Sequence, residues 1–220
     1  MAGTADIMWL TAPTIANMSI NTFNGNVGSS TTVVTNTLTA PANSLLVLST
    51  SSGFFDPTAI TITSSPSLTW TAAVTGNGNG FMQGIYTAPF AAGGSITVTS
   101  TYTTGTVNGV ACLYAVVNAN ASPIGATQKQ QNFNAQPIFS LTTTRANSLI
   151  FCISYDINGS YSPSGGTYLN SPTVDYSNIA FGFGYIYHYQ ATSIAAYSIG
   201  MTGTFTSSNF YSSFAEIKGL

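Results

Sequence analysis

Charged side chains are unusually scarce in this 220-residue sequence, at 4% of residues, whereas about 25% is usual for a soluble domain. Only three residues are basic, Lys129, Arg145 and Lys218, and residues 1–128 contain none. Binding nucleic acid by neutralising phosphates requires clustered Lys and Arg side chains. We therefore expect no nucleic-acid partner.

Long apolar runs are also missing. The longest, Val110 to Val117, is far shorter than the roughly 20 residues that a helix needs to cross a bilayer. We therefore expect no membrane insertion. The first residues lack the basic and apolar segments of a secretory signal, so we expect either release by cell lysis, as for virion proteins, or a signal that has been removed.

Cysteine and histidine are nearly absent. Cys112 and Cys152 lie in apolar stretches, and we interpret them as buried free thiols, with a disulfide between the two regions as the alternative. His188 is the one histidine and is predicted to be a structural strand residue. As a triad base it would need a serine in a Gly-x-Ser-x-Gly elbow, and the sequence has none.

Carboxylates are too few to build an obvious active site. Asp56 and Asp156 follow two similar apolar strands and are interpreted as turn-capping residues, with calcium ligation as the alternative. The sequence has neither a phosphate-binding glycine loop nor a cluster of zinc ligands. We therefore predict no catalytic residue, no cofactor and no metal site, and hence a protein that is not an enzyme.

What the sequence does contain is strand and turn signals. In residues 94–104, Ile96, Val98 and Tyr102 alternate with threonines, the two-residue period of a half-buried antiparallel strand. Similar short runs recur along the chain, separated by Gly, Asn, Pro and Ser clusters that suit tight turns. This pattern predicts an all-β fold of β-sandwich type, either jelly-roll or Ig-like.

An internal repeat organises most of the chain. Four pairs of segments match in the same order about 100 residues apart: 37–47 with 140–151, 84–86 with 185–187, 95–98 with 198–201, and 110–118 with 211–219. We interpret the repeat as duplication of one unit. The predicted domains are a first β-sandwich at 31–118 and a second at 137–220.

Two segments fall outside the repeat. Residues 1–30 are predicted to be an extended N-terminal arm, and residues 119–136 a connector between the sandwiches. The arm carries one apolar cluster, which we expect to dock either on its own sandwich or on a neighbouring subunit. These assembly-arm residues are Ile7, Met8, Trp9 and Leu10.

The strand motifs carry a family resemblance. The motifs that carry it are strands that begin with Ala-Asn-Ser-Leu, at 42–45 and 146–149, the Ile-Tyr strands, and a final strand that runs into 118–124. The resemblance is to the duplicated β-sandwich domains of phage virion and tail-fibre-like proteins and of some bacterial surface proteins. The resemblance covers roughly residues 32–219. It implies a role in display or assembly and brings no catalytic residue.

The scarcity of charge also bears on partners. Monomeric sheet proteins usually protect the end strands of a sheet, which are its edge strands, with charged residues or proline. An uncharged surface also lacks the electrostatic repulsion that keeps molecules apart. We therefore expect copies of the chain and other assembly subunits as partners, in a virion structural protein such as a capsid-decoration, head-fibre or tail-associated subunit.

Two alternatives remain open. The chain would be a subunit of a secreted extracellular filament or cell-surface adhesin if its arm were donated as a strand to a neighbour. It would be a carbohydrate-binding module if exposed aromatic residues stacked on surface glycans. The platform residues predicted for that role are Tyr185, Tyr187 and Tyr189, with packing in a core as the competing interpretation.

Overall fold

The computed structural model describes residues 11–24, 30–53, 59–78, 80–106, 108–133, 138–156, 167–178, 184–202 and 209–220. These residues form strands, turns and bends without any helix, so none of them lies in a helix that could span a membrane. The strands are β1 (Thr14–Asn24), β2 (Ser30–Val34), β3 (Leu38–Ala40), β4 (Ser44–Gly53), β5 (Ile60–Ser65), β6 (Thr71–Gly78), β7 (Phe81–Phe90), β8 (Gly94–Thr106), β9 (Asn108–Val117), β10 (Ala119–Phe133), β11 (Ile138–Thr142), β12 (Ser148–Asp156), β13 (Thr167–Tyr168), β14 (Thr173–Asn178), β15 (Gly184–Ala191), β16 (Ala196–Thr202) and β17 (Asn209–Gly219). The predicted all-β class is confirmed.

The strands form four antiparallel sheets. Central sheet 1 has the order β1-β9-β4-β7-β6, and central sheet 2 has the order β10-β17-β12-β15-β14. In outer sheet 1, β8 pairs with β2, β3 and β5, and outer sheet 2 has the order β11-β16-β13.

Each central sheet packs on its outer sheet through a buried apolar core. Beneath outer sheet 1, residues such as Ile96, Val98 and Tyr102 of β8 meet Leu46 and Leu48 of β4. Beneath outer sheet 2, residues of β11 and β16 meet residues of β12, β15 and β17, including Phe139, Leu141, Ile150, Cys152, Tyr187, Ile199 and Phe214. The alternation predicted for β8 is thereby confirmed, since the three apolar side chains are at most 2% exposed.

A third core lies between the two central sheets and is called the central core here. It contains Leu45, Val47, Ile85, Val110, Cys112, Tyr114 and Val116 from central sheet 1, and Leu149, Phe151, Ile153, Ile186, Ala215 and Ile217 from central sheet 2. The central strands are therefore covered on both faces, which explains why β4, β9 and β12 carry apolar residues at consecutive positions instead of alternating ones.

Asparagine supplies the left-handed backbone at four connections of the described chain, one of them at Asn170 between β13 and β14. Asn43 and Asn147 have φ angles of 59° and 54° and stand just before β4 and β12. In both places the hydroxyl of the following serine donates to the carbonyl oxygen three residues earlier. Asn118, with a φ angle of 59°, joins β9 to β10. Asn adopts this conformation more readily than other residues with a side chain, which accounts for the repeated Ala-Asn-Ser motif.

The segments predicted as an arm and a connector both contain strands. Within 1–30, β1 pairs with β9, and within 119–136, β10 pairs with β17. Each is therefore an end strand of a central sheet. Their Asn, Gly, Ser and Gln residues are weak strand formers, and pairing with an apolar neighbouring strand provides the order that the sequence pattern does not predict.

Candidate functional site

A polar cluster of three side chains lies beside the central core. The Tyr114 hydroxyl, from β9, donates to Asp175 Oδ2 on β14 over 2.8 Å. The same carboxylate oxygen lies 2.8 Å from His188 Nδ1 on β15. The Asp175 side chain is 1% exposed and that of His188 16%. The tyrosine thus links central sheet 1 to the only histidine of the chain.

The position of Asp175 depends on a β-bulge. Thr173 and Val174 of β14 pair with His188 and Tyr187 of β15, but Tyr176 pairs with Ile186, so Asp175 is the extra residue. A bulge can redirect a side chain, and here the carboxylate enters the space between the central sheets. The sequence analysis did not identify Asp175, because a bulge breaks the two-residue alternation. The one signal that the sequence offers is a charged residue between the apolar Val174 and the aromatic Tyr176.

Burial determines how the phenol of this cluster behaves. Desolvation raises the pKa of Tyr114 well above its ordinary value of 10.0, and the neighbouring Cys112 and Asp175 raise it further. The phenol therefore keeps its proton and remains a hydrogen-bond donor to the carboxylate. When His188 Nδ1 donates to the same carboxylate, Nε2 is the ring nitrogen that can meet another group.

His188 opens onto a cleft of about 570 Å³. This is within the range, about 300–1,000 Å³, of small-molecule sites. Its lining, called the His188 cleft here, is largely polar and comes from the start of β1 and from central and outer sheet 2: Thr14, Ile15, Leu149, Asn170, Ser171, Thr173, His188, Tyr189, Gln190 and Tyr197. An imidazole oriented by a carboxylate can donate or accept one hydrogen bond there.

A smaller cleft of about 350 Å³ lies at the corresponding strands of central sheet 1. Its wall includes Leu45 of β4 and Thr87 of β7, where the His188 cleft has Leu149 and His188. The pairing registers agree, since Thr87 pairs with Val47 and His188 pairs with Phe151. Val47 and Phe151 each lie two residues after the leucine of their cleft. The carboxylate and imidazole are thus found in one of two similar clefts.

A second buried carboxylate stabilises the turn before β12. The Glu216 side chain, on β17, accepts hydrogen bonds from the backbone amides of Ala126, Thr144 and Arg145 and from the hydroxyls of Thr144 and Ser148, at 2.8–3.0 Å. Desolvation raises its pKa, but these donors outweigh it, and the net result is a pKa below the ordinary 4.5. Glu216 therefore remains a carboxylate with a structural role.

Both thiols are free and fully buried. Cys112 lies in the central core and Cys152 in the core beneath outer sheet 2. Burial raises the pKa of each thiol, and the charge of Asp175 adds to the rise. The interpretation as buried free cysteines is confirmed, and the alternative of a disulfide between them is wrong for this structure.

The predicted tyrosine platform requires a correction. The side chains of Tyr185, Tyr187 and Tyr189 lie on the other face of β15 from His188. They are only 1%, 1% and 4% exposed, because outer sheet 2 covers that face of central sheet 2. Burial also raises the pKa of Tyr187. Side chains covered in this way cannot stack on a glycan, so these residues form core and not a platform.

The other predicted site residues are less fully placed. Ile7, Met8, Trp9, Leu10 and Asp56 lie outside the described residues. Asp156 ends β12 opposite Phe210. Within the described ranges, no three His, Cys, Asp or Glu side chains are grouped as metal ligands.

Comparison of the chain with protein-family models, with curated proteins and with solved structures finds no match in any of the three. We therefore infer the function from the geometry described above.

Proposed function

We propose that this chain is a non-enzymatic structural subunit that works packed against copies of itself or against other subunits of a larger assembly. The assembly expected from the family resemblance is a virion, with the chain as a capsid-decoration, head-fibre or tail-associated subunit. The observation that carries the proposal is the lack of exposed charge on three of the four end strands of the central sheets.

End strands normally carry charged residues that discourage pairing with other molecules. Neither β1 nor β6, the two end strands of central sheet 1, contains a charged residue. On β14, an end strand of central sheet 2, the one charge is Asp175, whose side chain is buried. β10 differs, since Lys129 is exposed there. Apolar side chains are exposed instead, with Met18 on β1 at 42% and Val174 on β14 at 40%.

The fold that we propose for this role is a pair of β-sandwiches related by duplication. The two central sheets have corresponding strand orders, with β1, β4, β6, β7 and β9 in the places of β10, β12, β14, β15 and β17. A bulge also falls at the same place, between Ala72 and Val74 on β6 and between Val174 and Tyr176 on β14. These agreements support one ancestral unit.

The proposal is tested by adding charge to an end strand. Val174→Lys introduces a cation on β14 and is expected to weaken association of the purified chain by about tenfold, equivalent to 1.4 kcal/mol. Ile194→Lys is the matched control, because Ile194 is 64% exposed but lies in the turn between β15 and β16. Light scattering over a concentration series measures both. Dispersed monomers of the unmodified chain at high concentration would contradict the proposal.

The arm can be tested without disturbing the sheet. Because β1 begins at Thr14, residues 1–10 are the part to delete, and the virion proposal expects the shortened chain to be lost from purified particles. The alternative, a secreted filament or adhesin subunit, expects a peptide of residues 1–13 to bind the shortened chain and to block association of the full-length chain, since the arm would act as a donated strand.

Glycan binding is a second candidate function, and the His188 cleft favours it in place of the tyrosine platform. The cleft combines an oriented imidazole with the amides of Asn170 and Gln190 and the hydroxyl of Thr173. Amide and hydroxyl groups, which both donate and accept hydrogen bonds, suit a sugar, which presents many hydroxyls.

A glycan array followed by titration calorimetry tests this candidate. His188→Ala is expected to weaken binding about tenfold, because one hydrogen bond to the sugar is lost. Thr87→Ala, in the smaller cleft, is the matched control and should leave binding unchanged. An array without any bound glycan, or equal losses in the two variants, would remove this candidate.

A further inference from the structure

The two halves of the chain, residues 11–117 and 119–220, are joined by one residue. β9 ends at Val117 in central sheet 1, and β10 begins at Ala119 in central sheet 2. Asn118 between them has a φ angle of 59°, and its carbonyl oxygen accepts the amide of Leu220 over 3.0 Å. The whole change of direction between the halves therefore depends on a single left-handed residue.

Each half has an apolar core of its own, beneath outer sheet 1 and beneath outer sheet 2. The central core is different, because it is made by residues of both halves. Hydrogen bonds across it join Tyr114 to Asp175 and Gln83 to Ser213, the latter over 2.8 Å. None of these contacts requires the two halves to belong to the same chain.

An extended backbone at Asn118 would be a second conformation of this hinge. Residues with a side chain favour negative φ angles, and an extended Asn118 would let β9 continue directly into β10. The halves would then separate, and each would expose its side of the central core. A short, strained hinge beside a large separable interface is the arrangement that favours exchange of identical parts between copies.

We propose that two copies of this chain associate by exchanging halves at Asn118, so that each central core combines central sheet 1 of one copy with central sheet 2 of the other. This inference rests on the proposed structural role and names the partner as a second copy. The exchanged dimer keeps every contact of the central core and replaces two left-handed hinges with extended ones.

Three substitutions change the hinge in known directions. A β-branched residue is strongly disfavoured at positive φ, so Asn118→Val should favour the dimer about tenfold per hinge, or about a hundredfold for two. Asn118→Gly accepts positive φ without strain and should lower the dimer fraction below that of the unmodified chain. Asn43→Val is the matched control, since Asn43 has the same φ angle of 59° but lies within the first half.

An engineered disulfide distinguishes exchange from ordinary association. A Cβ atom at Gly76 on β6 would lie 2.9 Å from Ser213 Oγ on β17, a separation close to that found across a disulfide. Gly76→Cys with Ser213→Cys, oxidised with diamide, therefore forms a bond within one chain in the closed monomer. In the exchanged dimer the same bond joins two chains and gives a band of twice the mass on a non-reducing gel.

The chains carrying both cysteines are unfolded, refolded at low and high concentration, oxidised and compared. We expect the double-mass band to appear for the otherwise unmodified chain at high concentration, to dominate with Asn118→Val, and to decrease with Asn118→Gly. Equal bands for Asn118→Val and Asn43→Val, or bonds within one chain only in every sample, would overturn the proposal. Should Asn118→Val fail to fold, the decrease with Asn118→Gly decides. Failure here combined with weaker association of Val174→Lys would leave the proposed function standing.

Discussion

Replacing Glu216 by Gln tests the most heavily hydrogen-bonded side chain described above. The carboxylate is fully buried and accepts from three backbone amides and two hydroxyls. A glutamine keeps one acceptor oxygen and places an NH₂ group where the other was. If that group faces Ala126, two donors oppose each other, and a buried amide without an acceptor costs about 1–3 kcal/mol.

The bonds that remain in the variant also weaken, because hydrogen bonds to a charged group are worth about 1.5–3 kcal/mol and neutral ones about 0.5–1.5 kcal/mol. The lower cost of burying a neutral side chain offsets part of this loss. We therefore expect Glu216→Gln to reduce the free energy of unfolding by about 3 kcal/mol and the melting temperature by roughly 6–12 °C. Urea unfolding followed by circular dichroism measures the change.

The pH dependence provides a second check. Since the pKa of Glu216 is lower in the folded chain than its ordinary 4.5, the carboxylate stabilises fully above that value, and this contribution is lost as the pH falls through the folded-state pKa. The difference between the unmodified chain and the variant should therefore shrink as the pH is lowered below 4.5. Lys129→Gln, at an exposed position on neighbouring β10, is the control. A loss below about 0.5 kcal/mol, or a difference independent of pH, would refute the reasoning.

Three further predictions follow from the cores. Tyr114→Phe removes the hydrogen bond between the central sheets and should cost about 1–2 kcal/mol in urea unfolding; an unchanged midpoint would contradict the importance of that bond. Cys112 and Cys152, whose pKa values are raised by burial, should react with a thiol reagent only after unfolding, and fast labelling of the native chain would show otherwise. Gly78→Ala directs a methyl group into the ring of Tyr211 and should lower the free energy of unfolding by about 1–3 kcal/mol through overpacking. An unchanged melting temperature in calorimetry would contradict this.

The strand class, and the buried face of an alternating strand such as β8, could be predicted from the sequence, because alternation is a local property. Ile96, Val98 and Tyr102 lie on one buried face of β8 as predicted. Which part of the molecule packs against that face is not a local property of the sequence. Tyr187 and His188 are neighbours in β15 and so lie on opposite faces of the sheet, but alternation alone could not tell that a second sheet covers the tyrosine face.

The run Val110–Val117 illustrates a signal whose meaning was missed. As a helix it is too short to cross a bilayer, and that conclusion used only its length. Its lack of alternation is what a strand covered on both faces produces, and β9 lies between the central core and the core beneath outer sheet 1. The same pattern at 45–48 and 149–153 predicts stacked sheets once it is interpreted in this way.

The contacts of the polar cluster could not be predicted from the sequence, for a different reason. Tyr114 and Asp175 are far apart in the chain, and their contact requires the two central sheets to be stacked. A bulge then sets the direction of the carboxylate.

The stacking of four sheets also sets the order in which amide protons should exchange with water. β4, β9, β12 and β17 have neighbours on both edges and cores on both faces, so their amides are released only when the whole molecule opens. β5 and β13, at the margins of the outer sheets, can detach alone and should exchange early. Deuterium uptake would thus proceed inward from the two outer surfaces, with the amides of β4, β9, β12 and β17 the last to be labelled.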